Sequence, residues 1–204
     1  MSRSFALRMT FLGILCMICT TVFAQQFSAT LVSAEKGEQK PPSKFYISNT
    51  KVRIEPQGQN NVVIVDNSTQ MMDVLLPAQH TYIETKITQA GPRANQLGLL
   101  AFHTNDVENA CDDLQKIRSK PGTCHKVGDE SVDGRSAVRY EGVSGDGYAG
   151  KIWVDKNLKY PIKWDDENGT GEFQNIDDSS PSASLFEIPA GYQKMDNSMM
   201  GGHH

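Results

Sequence analysis

Cys124 and His125 stand side by side in the stretch "PGTCHKVGDESVDGR". A thiol next to an imidazole could be a nucleophile and its base, a haem attachment, part of a zinc site, or half of a disulfide. A c-type haem needs a second cysteine three residues before the first, and there is none. A hydrolase dyad needs the two side chains to meet, whereas neighbours on a strand point to opposite faces. Zinc needs paired ligand spacing, which is absent here. Disulfide formation is the remaining chemistry, and it depends on where the chain resides.

Other constellations are equally thin. "GVSGD" around Ser144 is not a nucleophile elbow, because its second glycine comes one residue too early. "DDENGTGE", beginning at Asp165, has the composition of a calcium loop. Trp164 holds the first ligand position and Asn175 the last, so an acidic hairpin is the plainer reading. "MDNSMMGGHH" offers methionines and histidines to soft copper, but it reads first as a disordered tail. Asn67-Ser68-Thr69 and Asn168-Gly169-Thr170 match glycosylation sequons, which matter only in a eukaryotic secretory pathway. The expectation is therefore no catalysis, no metal and no cofactor.

The N-terminus answers the question of compartment. Arg3 and Arg8 make a basic start, Phe11 to Ile18 is an apolar run too short for a membrane span, and Val22 to Ala24 is a small-residue cleavage site. Residues 1–24 are expected to be a cleaved signal peptide. Neither Cys16 nor Cys19 follows a small residue, so lipidation is not expected. The mature chain would be exported, periplasmic and not an integral membrane protein. It would keep two of the four cysteines, Cys111 and Cys124, and an even pair in an exported protein reads first as a disulfide. A reactive or ligating thiol is the alternative. Removing two arginines from 20 basic residues leaves 18 against 24 acidic, a net charge of −6, which argues against nucleic acid and anionic lipid surfaces.

These residues must be positioned by a chain that is mostly strand. "FSATLVSA", "KFYIS", "KVRIE", "NVVIVD", "QMMDVLLP" and "HTYIETKI" follow one another with turn chemistry between them, which implies an antiparallel meander. "NVVIVD" is apolar on both faces and should be central. "TQAGPRANQLGLLAF" is too loose for regular structure and reads as a lid or loop. In "TNDVENACDDLQKIRSK" the period changes. Val107, Ala110, Cys111, Leu114 and Ile117 fall at helical spacing, Asn105 with Glu108 suggests a capping box, and Pro121-Gly122 stops the helix. Strands then resume: "HKVGDESV" and "RSAVRYEGV" around an Asp133-Gly134 hairpin turn, then "YAGKIWVD", "YPIKWDDE", "EFQNI" and "LFEIP". Pro161 cannot donate a ladder bond, so its strand should be an edge or bulged there. One domain over residues 25–194 is expected, with residues 195–204 a disordered tail.

The last third carries a recognisable order of motifs. Gly128, Glu130, Val132, Gly134 and Arg135 form one hairpin. Trp153, Val154, Asp155, Leu158, Pro161 and Lys163 form the next. Asn175-Ile176 and a closing Leu185, Phe186, Ile188, Pro189, Gly191 and Tyr192 follow. This order is similar to that of the outer-membrane lipoprotein-sorting and carrier-like families, the LolA/LolB-like group and related bacterial families. The resemblance covers most of residues 26–195. The carriers have a strand like "WVKRP" where this chain has "FYISN", and they lack the cysteine pair.

The resemblance implies a mainly β fold with one or two helices. It would be an open, strongly curved antiparallel sheet, an unclosed half-barrel of ten or eleven strands, with helix covering its concave face. It also implies a periplasmic binding protein that holds lipid or lipoprotein acyl chains on that face. The candidate lining is Phe45, Ile47, Val52, Ile54, Ile64, Leu75, Ile83, Ile152 and Trp164. The expected partner is a lipid or an acylated protein. The alternative is a non-catalytic envelope module whose face is permanently filled and whose strand edges meet a protein.

Overall fold

The structure is a computed structural model that describes residues 25–87, 102, 104–116, 120 and 122–195. The expected signal peptide, most of the loose stretch after Ile87, and the tail beyond Met195 lie outside these residues, as do Ile117 and Pro121 of the expected helix end.

Alternation and turn chemistry build a single sheet. Its strands are β1 (Gln26–Glu35), β2 (Glu38–Gln39), β3 (Ser43–Ser48), β4 (Lys51–Pro56), β5 (Val62–Asp66), β6 (Met71–Leu76) and β7 (Thr81–Lys86). After the helix α1 (Cys111–Lys116) come β8 (His125–Val132), β9 (Arg135–Val143), β10 (Ala149–Asp155), β11 (Pro161–Asp166), β12 (Gly169–Asp177) and β13 (Gln193–Lys194). The spatial order is β13-β7-β6-β5-β4-β3-β1-β12-β11-β10-β9-β8, with β2 folded back on β1. Two meanders thus meet at β1. One runs outward from β1 to β7, and the other returns from the far edge, β8, to β12. The two edges do not pair, so the sheet is open.

The described residues form thirteen strands, not ten or eleven. The excess is two short pairings of two residues each. β2 closes a tight hairpin on β1, and β13 runs parallel to β7, with Gln193 beside Thr81. Neither is long enough to leave a period in the sequence. "LFEIP" is also not a strand: Ala183–Phe186 forms a 3₁₀ turn, its Leu185 carbonyl accepting from the Arg53 guanidinium at 2.8 Å.

Local signals fared better. Asp133 and Gly134 both take positive φ, 48° and 76°, the twist-matched hairpin turn that joins β8 to β9. Pro161 faces a register shift between Trp153 and Val154, so its strand is interior and bulged. β5 is interior as expected, with Ile64 and Val65 buried on opposite faces. Asp106, not Asn105, starts the helical segment, its carboxylate accepting from the Glu108 amide at 3.0 Å. The segment opens as a 3₁₀ turn (Val107–Asn109) before α1. Its six described residues reach only the β8–β10 end, so cover of a whole face by helix is not part of the described structure. No helix among the described residues is long and apolar enough to cross a membrane.

Candidate functional site

Cross-strand register sorts the nine candidate lining residues between the two faces of the sheet. Directly paired residues project to the same side. Phe45 pairs with Ile54, Ile54 with Val63, Val63 with Val74 and Val74 with Ile83. Ile47 pairs with Val52 in the next row. On the other side of β1, Leu31 pairs with Phe173, while Gly171, Trp164 and Ile152 form a consecutive row. Phe45, Ile47, Val52, Ile54, Ile83, Trp164 and Ile152 therefore share one face. Ile64 and Leu75 do not. Ile64 pairs with Arg53 and Leu75 with Tyr82, which places both on the opposite face with the charged residues.

The shared face has a deep part and a shallow part. Phe27, Phe45, Phe173 and Tyr160 are at most 1% exposed and interlock as aromatic rings, Phe45 to Phe173 at 4.5 Å and Phe27 to Tyr160 at 5.4 Å between centroids. Burial pushes the Tyr160 phenol's pKa up, so it stays neutral. Ile47, Val52 and Val65 extend this floor. Beside it, spread over neighbouring rows of the same face, lie half-buried apolar side chains: Ile152, Trp164, Leu31, Ile54, Val63 and Val74. Trp164 can lie there because residue 171 has no side chain. A Cβ at Gly171 would stand 2.0 Å from the indole. Trp164 and Ile152 also line a recess of about 340 Å³ with Leu114, Tyr140 and Tyr148.

The β8–β10 end is cross-linked. Cys111 and Cys124 form the expected disulfide, with an S–S distance of 2.06 Å, tying the start of α1 to the start of β8. Such a pair suits an oxidising compartment. The Tyr140 hydroxyl donates to the Val107 carbonyl at 2.6 Å and accepts from the Ala110 amide at 3.1 Å. Lys126 and Lys156 both pair with Glu108, and Lys156 bonds Asp129 at 2.6 Å. Asp155, 1% exposed, holds Arg135 at 2.6 Å and also accepts from the Asn157 and Leu158 amides. His125 is exposed at the first position of β8. Cys124 is therefore a staple. Among the described residues, no group of three histidine, cysteine or acidic side chains is placed to hold a metal.

One feature at the end of the sheet had no motif to announce it. A cleft of about 630 Å³ lies at the turns joining β4 to β5 and β6 to β7, lined by Gln57, Gln59, Asn60 and Asn61 among others. In the sequence "PQGQNN" reads only as a turn.

No family model and no curated protein matches the chain by sequence. Solved structures do match by fold. An uncharacterized conserved protein from Thermus thermophilus superposes with a TM-score of 0.53 at 10% identity, over 85% of this chain and 91% of its own. The complex of MucA and MucB from Pseudomonas aeruginosa gives 0.51 at 16% identity, over 81% of this chain and 56% of the matched one. This chain thus spans little more than half of that neighbour. A LolA superfamily protein, NE2245 from Nitrosomonas europaea, matches at 9% identity over 79% and 89%, but its TM-score of 0.32 is too low to bear on the fold. The chain shares its open-sheet fold with the first two.

Proposed function

We propose that this protein is a non-catalytic, exported binding protein that takes a lipid or an acyl chain along the half-buried apolar side chains of the Phe45 face. The observation that supports this reading is the set of half-buried residues on that face: Ile152, Trp164, Leu31, Ile54, Val63 and Val74 share one side of strands β10 to β6 and keep part of their surface in water. A fatty chain laid on them would gain about 0.8 kcal/mol per buried methylene. The fully buried aromatic floor sets the depth, so the chain would lie along the face rather than enter it. Ile64 and Leu75 have no part in this reading.

The test uses residues 25–204 carrying Trp153→Phe, which leaves Trp164 as the sole indole. Dodecanoate should shift Trp164 emission to the blue in a saturable way, and Ile54→Lys should abolish the change. Absence of a saturable shift, with no lipid found by native mass spectrometry of the purified protein, would sink the reading. The second reading, a protein-docking module with a filled face, draws support from that same floor and from the MucA–MucB neighbour. It predicts a co-purifying protein and no lipid.

A further inference from the structure

The cleft lies at the end of the sheet, by the β4–β5 and β6–β7 turns. Its lining contains none of the apolar residues of the reading above, though Ser43 and Pro56 share their face. Thr30, Lys44 and Glu55 lie on the other face, since they pair in sequence across β1, β3 and β4. At about 630 Å³ it falls within the size of a small-molecule site. Its chemistry is unusual for this chain. Gln57, Gln59, Asn60 and Asn61, four carboxamide-bearing residues of one six-residue turn, Pro56–Asn61, line it. The turn is tied down, because the Gln57 amide donates to the Pro42 carbonyl at 2.9 Å. Pro42, Pro56 and Pro77 supply apolar ring surface and no N–H. The fixed charges are Lys44 and Glu55, one of each sign, and Glu55 is already held by Arg53 at 2.7 Å. Asn61 has its Oδ1 shielded from solvent and without a donor, a cost that a ligand hydroxyl would relieve once the turn shifts to admit it.

We propose that this cleft is a binding site for a neutral carbohydrate. Each carboxamide presents a donor pair and an acceptor side by side, which matches vicinal hydroxyls that both donate and accept. Lys44 and Glu55 give the lining one charge of each sign and no net charge, so a neutral ligand meets no repulsion there. An extended peptide is disfavoured for a different reason. Peptides dock on sheets by pairing with a free strand edge, and β3, β4, β5 and β6 are each paired on both sides. The proline walls would cover the C–H faces of a sugar ring, and without an aromatic platform in the lining the affinity should be weak, with Kd on the order of 1 mM.

The experiment is an NMR titration of ¹⁵N-labelled residues 25–204 with triacetylchitotriose, maltotriose and, as the peptide control, tetra-alanine. The expected result is a saturable shift of the side-chain amide signals of Gln57, Gln59, Asn60 and Asn61 with at least one saccharide. Asn61→Ala should weaken binding about tenfold. Gln59→Ala, at an exposed position that does not endanger folding, should weaken it about threefold. The proposal is overturned by no saturable shift with either saccharide, by the same shifts with tetra-alanine, by shifts confined to Trp164 and Ile152, or by undiminished binding in both variants.

Discussion

The two halves of the sheet are held by different physics. From β1 to β7, long apolar rows cross five hairpins, and the deep aromatic cluster of Phe27, Phe45 and Phe173 sits at the join with β12. From β8 to β10, a small cluster under α1 contains Phe102, Val107, Leu114, Val138, Tyr140 and Val154. That end adds a disulfide, a buried Asp155–Arg135 pair and the Glu108–Lys126–Lys156–Asp129 network. A cluster so small buries too little surface to hold a short helix alone, so cross-links take over. Charge is paired in both halves. The other half has its own opposite pairs, Arg53–Glu55 and Lys194–Glu84, but it also sets Asp73 directly across from Glu84 on β7, a like-charged neighbour.

The largest test of this contrast is Phe45→Ala. It should cost about 3–5 kcal/mol in chemical unfolding, because Phe45 is fully buried against Phe173. It should also loosen both halves, since the aromatic cluster spans their junction. If β8–β10 kept its amide protection while β3–β7 lost it, the cluster would belong to one half only. Next comes Cys111→Ser with Cys124→Ser. The pair closes a separation of 13 residues, and its removal should cost about 2–4 kcal/mol. Faster hydrogen exchange should be confined to α1 and β8. Uniform acceleration would mean that the staple supports the whole sheet.

The smallest effect, within about 0.5 kcal/mol, is expected of Asp73→Asn. Burial first, and then Glu84, raise the Asp73 pKa above its ordinary 3.8. A raised carboxyl binds its proton more tightly in the folded state, so stability falls as pH climbs through this range and the full cost is present at neutral pH. The substitution should therefore raise Tm at pH 7, and the gain should fade below 3.8. An equal gain at both pH values would assign the effect to packing.

Much of this architecture was legible in the sequence, and the gaps have physical reasons. Asp133-Gly134, Pro161 and the Cys111–Cys124 pair act through their own backbone or side-chain chemistry, so they could be read without knowing the fold. The side of the sheet on which Ile64 and Leu75 fall could not. "NVVIVD" and "QMMDVLLP" are apolar at successive positions, so their alternation carries no parity, and a slip of one residue exchanges the faces. Register set by the turns decides it. β2 and β13 are too short to leave a pattern. The amide-rich cleft needs two turns, Pro56–Asn61 and Pro77–Gln79, that are brought together only by the sheet.

The indole lying across Gly171 has a genetic consequence. Position 171 is in effect part of Trp164: any substitution there places an atom where the ring now is. Glycine codons can change by one base only to residues that carry a Cβ. Every missense allele at 171 is thus also an allele of the tryptophan. Gly171→Ala should report itself as a change in Trp164 fluorescence before any change in stability is measured.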